Sequence, residues 1–126
     1  MIHHVSLGTN DLSRARAFYD PVLAVLGLRL LKEDDKSLNY GIGAVLFSLE
    51  TPIDGKPATQ GNGAHIAFMA EDPAMVDAFY RIALEHGGTE DGAPGLRPEY
   101  NAHYYGAFVR DPDGHKIEAV THSARH

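Results

Sequence analysis

Two stretches of this chain, 61 positions apart, carry one pattern. The first reads His4-Val5-Ser6-Leu7, then Asp11, then Phe18-Tyr19; the second reads His65-Ile66-Ala67-Phe68, then Asp72, then Phe79-Tyr80. In both, the aspartate follows the histidine by seven positions and the aromatic pair begins at fourteen, and Ala17 with Ala78 and Gly27 with Gly88 continue the match. A spacing held across a strand, a turn and a helix marks two copies of one supersecondary unit. It places the two histidines in equivalent positions about a pseudo-twofold axis. Matched histidines are the first part of a candidate metal site.

The local pattern predicts the elements of each copy. Ile2 to Leu7 alternates and is rich in β-branched residues, so it reads as a strand, and Thr9-Asn10-Asp11 supplies capping residues for a helix with Ala15, Phe18, Tyr19 and Val22 on one face. Pro21 predicts a break at Asp20 and a short second helical segment ending at Gly27. Strands are expected over Leu28 to Glu33, around Leu38 to Tyr40 and over Ala44 to Leu49, with a tight turn at Gly41 to Gly43. Residues 1–50 thus form a βαβββ unit. Residues 51–63, with Pro52, Gly55, Pro57, Gly61 and Gly63, read as a linker. Residues 64–122 repeat the order: a strand over Ala64 to Met69, a helix capped by Asp72 and Pro73 and stopped at Gly87-Gly88, and a weak strand within Thr89 to Tyr100. A hairpin of Tyr105 to Arg110 and Lys116 to Thr121 then turns at Asp111-Pro112-Asp113-Gly114. Residues 123–126 are left as a tail. The expected class is α+β, the two units together making one domain.

Composition narrows the partners. A net charge of -6, from 11 basic and 17 acidic residues, argues against nucleic acid or an anionic membrane surface, since both need a concentrated basic face. The chain has no cysteine, so any metal must be held by His, Asp or Glu. No apolar run approaches a membrane span, and Met1 leads directly into a strand pattern, which makes the cytoplasm the expected location.

The paired βαβββ units, the histidine opening each, the aromatic pair on each helix, and Asp111-Pro112-Asp113-Gly114-His115-Lys116-Ile117-Glu118 resemble the vicinal oxygen chelate superfamily over essentially the whole chain. That superfamily includes glyoxalase I, methylmalonyl-CoA epimerase, fosfomycin-resistance thiol transferases, extradiol dioxygenases and bleomycin-binding proteins. The resemblance implies curled mixed sheets forming an open, barrel-like crevice in which His4, His65 and Glu118 converge. Glu118 shares its strand face with Lys116 and Val120. Two imidazoles and one carboxylate leave coordination positions open, as a catalytic site requires, and suit Fe(II), Mn(II), Zn(II) or Ni(II). Family members of this size usually form homodimers, in which His4 would come from one chain and His65 with Glu118 from the other. Pairing of the units within one chain is the alternative.

The resemblance also carries a departure. Glyoxalase-like members usually contribute a further carboxylate from the last strand of the first unit, where this chain has Phe47, or Ser48 if the register slips by one. Isomerisation needs a tuned base beside the metal, so lactoylglutathione lyase activity is not expected. The three-ligand pattern is closer to the fosfomycin transferases, with Ser6 in the place of their hydroxyl residue, but only Arg97 stands in the segment where their phosphonate-binding basic residues lie. The expected function is therefore that of a glyoxalase-like metalloenzyme, a lyase, isomerase or transferase acting on a small oxygen-bearing molecule. An extradiol-type Fe(II) dioxygenase and a non-catalytic protein that sequesters a drug, as the bleomycin-resistance members do, are the alternatives.

Substrate contacts are expected from Arg97-Pro98-Glu99-Tyr100-Asn101-Ala102-His103-Tyr104-Tyr105, the densest run of aromatic and polar side chains. Arg97 would clamp a carboxylate or phosphate, and Tyr105, Ser6, Phe47 and Ser48 would complete the pocket. Tyr100, His103 and Tyr104 are the candidates for proton transfer. The other reading of this run is a loop whose tyrosines pack on the sheet. His3, His86, His115 and His122 are given no part in the site.

Overall fold

The computed structural model describes residues 1–123, so the expected tail beyond Ser123, with His126, lies outside the described residues. The first unit comprises β1 (Val5–Gly8), α1 (Leu12–Val25), β2 (Arg29–Glu33), β3 (Ser37–Ile42) and β4 (Ala44–Glu50). The second comprises β5 (His65–Met69), α2 (Pro73–Glu85), β6 (Thr89–Leu96), β7 (Tyr105–Arg110) and β8 (Lys116–Thr121). Each unit folds into a four-stranded mixed sheet, ordered β1-β4-β3-β2 and β5-β8-β7-β6. In each, the first strand pairs in parallel with the last and the remaining ladders are antiparallel. The repeated sequence has thus given one topology twice, an α+β fold of two βαβββ units with unclosed sheets.

Both helices begin as the sequence predicts. Asp11 accepts the Arg14 backbone N–H at 3.0 Å and Asp72 accepts that of Met75 at 2.9 Å, and each such cap stabilises its helix by about 1 kcal/mol. Pro21 does not break α1, which runs through it. The proline forfeits one helical hydrogen bond, a local cost of about 3 kcal/mol, but Phe18, Tyr19, Val22 and Leu23 are wholly buried on either side of it. Their continuous apolar face offsets that cost and keeps the helix whole. α1 and α2 pack on each other, and Gly88 permits it: a Cβ there would lie 2.8 Å from the Phe18 ring and 2.8 Å from the Ala83 carbonyl.

The ladder of β1 starts at Val5, paired with Phe47, so His4 stands just outside it rather than within the expected strand. Its counterpart His65 does open β5.

The two units are joined by the turn of the β7–β8 hairpin. Tyr19 donates its phenol proton to Asp111 at 2.5 Å, and the other Asp111 oxygen accepts the backbone N–H groups of Asp113 and His115, both at 2.9 Å. Asp113 accepts from the Thr9 hydroxyl at 2.5 Å, the Asn10 backbone N–H at 3.0 Å and the Arg14 guanidinium at 2.9 Å. His115, which follows the turn, is buried and donates from Nε2 to the Gly8 carbonyl at 2.6 Å. Burial pushes the Asp111 carboxyl up, although its bonds to Tyr19 and His115 pull the other way.

Asp113→Ala strips three donors of their acceptor and should cost about 2–3 kcal/mol in urea denaturation. Arg14→Ala removes only a half-exposed partner and should cost less than about 1 kcal/mol. Equal, small losses in both variants would show that this turn does not hold the units together.

Candidate functional site

Alternation along the second sheet divides its residues cleanly. Ile66, Phe68, Ala107, Val109, Ile117 and Ala119 belong to or pack against the core, which leaves His65, Phe108, Arg110, Lys116 and Glu118 on the other face. With Tyr100 and Tyr104 from the β6–β7 connection and Gln60 and Asn62 from the linker, these five line a cavity of about 570 Å³.

Glu118 is the chemical centre of this cavity. It is 1% exposed, yet both carboxylate oxygens are engaged: Oε1 lies 3.2 Å from His65 Nε2, and Oε2 accepts the proton of the Tyr104 hydroxyl. Gly106 makes this packing possible, because a Cβ there would lie 3.0 Å from Glu118 Oε2 and 3.2 Å from the Tyr104 ring. Desolvation first, and then the hydrogen bond and negative charge of Glu118, push the Tyr104 phenol well above its ordinary range. Tyr104 is therefore a proton donor to Glu118 at neutral pH and not a base.

The donor set fits two positions of a divalent metal. Ligand atoms about 2.1 Å from an ion and at right angles across it stand about 3 Å apart, and His65 Nε2 and Glu118 Oε1 are separated by 3.2 Å. His65 keeps 45% of its side chain exposed and lines the cavity. The third expected donor is elsewhere. His4 is exposed and shares a 2.8 Å hydrogen bond with His3, Nδ1 to Nδ1, and among the described residues no three His, Asp or Glu side chains of one chain gather around a common point.

The other expected site residues divide in the same way. The register settles the counterpart of Glu118: β1 pairs Ser6 with Ser48 and β5 pairs Ala67 with Glu118, so Ser48 holds the matching place and Phe47 does not. Ser48 is buried and donates to Asn39 Oδ1 at 2.7 Å. Phe47 lies in the core with its ring centroid 5.2 Å from those of Tyr19 and Phe68. Ser6 lines a different groove, with Glu50 and the linker. Arg97 is folded back onto its own strand, donating to the Gly95 carbonyl at 2.9 Å and that of Ala93 at 2.8 Å. The Tyr105 hydroxyl donates to Asp77 on α2 at 2.7 Å, and desolvation with that bond pushes its phenol up to about 12. His103 is exposed and is not among the cavity residues. Tyr100 and Tyr104 are, their ring centroids 5.0 Å apart.

Several cavity residues were not anticipated. Phe108, Arg110 and Lys116 follow from the alternation that places Glu118, so the signal was present in the sequence. Gln60 and Asn62 carried none, being polar residues in a linker. His122, given no part in the site, packs its ring 5.3 Å from that of Tyr104.

The comparisons with known proteins agree with this architecture. A family model described as Glyoxalase/Bleomycin resistance protein/Dioxygenase superfamily matches residues 1–119. The chain is 32% identical over 122 residues to a metallothiol transferase, FosB, of Shouchella clausii (strain KSM-K16), covering 95% of this chain and 79% of that protein. A glyoxalase/bleomycin resistance protein from Albidiferax ferrireducens T118 superposes with a TM-score of 0.89 at 40% identity, over 95% of this chain and 98% of the other. Lactoylglutathione lyase from Agrobacterium tumefaciens shares the fold, with a TM-score of 0.69 at 24% identity over 95% and 92% of the two chains.

Glu118→Gln removes the negative charge that opposes Tyr104 ionisation, so one phenol should titrate at lower pH in the ultraviolet difference spectrum. That phase should be missing when Tyr104→Phe is added. An unchanged titration would mean that the two groups do not interact in solution.

Proposed function

We propose, for a chain that belongs to the Glyoxalase/Bleomycin resistance protein/Dioxygenase superfamily, a metal-dependent reaction on a small oxygen-bearing molecule held in the His65–Glu118 cavity. The observation that carries this reading is the 3.2 Å approach of His65 Nε2 to a buried carboxylate inside an open cavity. A relative named a metallothiol transferase, 32% identical, supports it. His65 and Glu118 would hold Fe(II), Mn(II), Ni(II) or Zn(II), which would polarise a substrate oxygen as a Lewis acid.

A second copy of the chain supplies the missing donor. Ile2, Ile42, Leu46 and Met69 are large apolar side chains left exposed, and they border a groove of about 580 Å³ lined largely by residues of β1, β4 and β5. A contiguous apolar surface of this kind marks an interface. In a homodimer closed across it, His4 of one chain completes the site of the other, and each dimer holds two sites.

The residues favour addition or ring opening over isomerisation. Moving a proton between carbons needs a base free of the metal. Among the described residues Glu118 is the only carboxylate lining the cavity, its counterpart Ser48 is neutral, and Tyr104 holds its proton. Tyr104 instead fixes Glu118 Oε2 and leaves Oε1 toward His65, while Tyr100 and Phe108 give the cavity an aromatic lining.

Plasma mass spectrometry of tag-free protein reconstituted with each ion should find near one metal per chain, lost in His4→Ala, His65→Ala and Glu118→Ala. Co-refolding the His4→Ala and Glu118→Ala chains in equal amounts should restore about a quarter of the sites, because half the dimers are mixed and each has one intact site. Metal retained by His4→Ala would place the third donor elsewhere. No uptake by the parent chain would replace the enzyme with a protein that sequesters its ligand.

A further inference from the structure

Lys116 stands between two other basic side chains. It pairs with Arg110 across the β7–β8 ladder and with His65 across the β5–β8 ladder, so one row of the sheet carries an arginine, a lysine and a histidine side by side. All three line the cavity. Like charges directly opposed on one sheet face, about 5 Å apart, oppose the pairing of their strands. One carboxylate answers both cations: Asp91 Oδ2 lies 3.0 Å from Arg110 Nε and 3.7 Å from Lys116 Nζ. Glu118 keeps its charge in the same cavity but pairs with neither cation, its oxygens being bonded to His65 and Tyr104.

The Arg97 guanidinium lies 5.5 Å from the ring centroid of Phe108. Arg97, Arg110 and Lys116 thus stand against Asp91 and Glu118, and one positive charge is left over at this end of the cavity, in a protein whose net charge is -6. The two side chains are not packed away: Arg110 is 38% and Lys116 35% exposed. Phe108 supports Lys116, whose Nζ lies 5.0 Å from the ring centroid. The amides of Gln60 and Asn62 add neutral donors to the same cavity.

We propose that Arg110 and Lys116, assisted by Gln60 and Asn62, form an oxyanion subsite, so that the substrate carries a carboxylate, phosphate or phosphonate group at this end. Lys116 precedes Glu118 by two residues on one strand face, which separates the oxyanion from the reacting oxygen by roughly 7 Å. The inference rests on this cavity being the substrate site. It does not need the metal, because an arginine and a lysine bind an oxyanion by charge and hydrogen bonding alone.

The test uses metal-free protein at constant ionic strength, titrated with inorganic phosphate, with acetate and with neutral acetamide while amide proton and nitrogen shifts are followed. Saturable shifts centred on His65, Arg110 and Lys116 are expected with phosphate, acetate or both, and none with acetamide. Stronger phosphate binding identifies a phosphate or phosphonate substrate, and comparable acetate binding a carboxylate. Lys116→Gln should weaken binding by about fivefold, while Lys32→Gln, exposed on the other sheet, should leave it unchanged. Lys116→Gln should also be no less heat-stable than the parent, since it relieves a like-charge pair. No saturation, an equal response to acetamide, or binding indifferent to Lys116→Gln would overturn the proposal. Metal uptake without anion binding would refute the subsite and leave the metal reading intact. Anion binding without metal uptake would do the reverse.

Discussion

The clasp between the β7–β8 turn and the β1–α1 corner is the contact on which the rest of the molecule depends. Its hydrogen bonds join residues 92 to 107 positions apart, so none can form until both units are largely in place. Tyr19 is wholly buried at its centre and also belongs to the core, which couples the polar clasp to the packing of α1. No buried side-chain nitrogen or oxygen among the described residues lacks a hydrogen-bond partner, and a satisfied polar network of this kind specifies one arrangement of the units. It also fixes where β8 begins. Lys116 and Glu118 follow directly on the turn, so the clasp sets the register that delivers both into the cavity.

Glu118 shows how the fold supports chemistry at a local cost. Burying a carboxylate is unfavourable unless its oxygens are met by donors. Here the donors are a phenol and an imidazole, the second of which keeps much of its surface open. Gly106 removes the side chain that would separate Glu118 from Tyr104. The first sheet offers the contrast: the matching place is Ser48, tied to Asn39 and closed off. The duplicated architecture thus carries a buried carboxylate in the second unit and a neutral hydrogen bond at the matching place in the first.

Much of the fold was legible because the repeat and the turns are local signals. The hairpin was readable to the residue from Asp111-Pro112-Asp113-Gly114 between two alternating runs, and α2 from Asp72 and Pro73. Pro21 misled, because a local rule about proline does not register how much apolar surface lies on the helix face around it. Phe47 and Ser48 could not be separated by spacing alone, since a one-residue change of register exchanges the faces of a strand. His65 with Glu118 was legible from the duplicated histidine and strand alternation. Whether His4 meets them within one chain was left open, because a repeat says that two units are alike and not which faces they turn to each other; His4 is exposed and outside the cavity lining. Arg97 and Tyr105 were placed by their neighbourhood in sequence, and their partners, the Ala93 and Gly95 carbonyls and Asp77, hold them outside the cavity lining, Arg97 with its guanidinium over the Phe108 ring.

The most direct measurement is the anomalous scattering of crystals grown with Ni(II), recorded at the metal edge. The account predicts one strong peak per chain, about 2 Å from His65 Nε2 and from a Glu118 oxygen, with His4 of a second copy as the third protein ligand. A peak at any other residues, or none between His65 and Glu118 in protein that has taken up the metal, would contradict it.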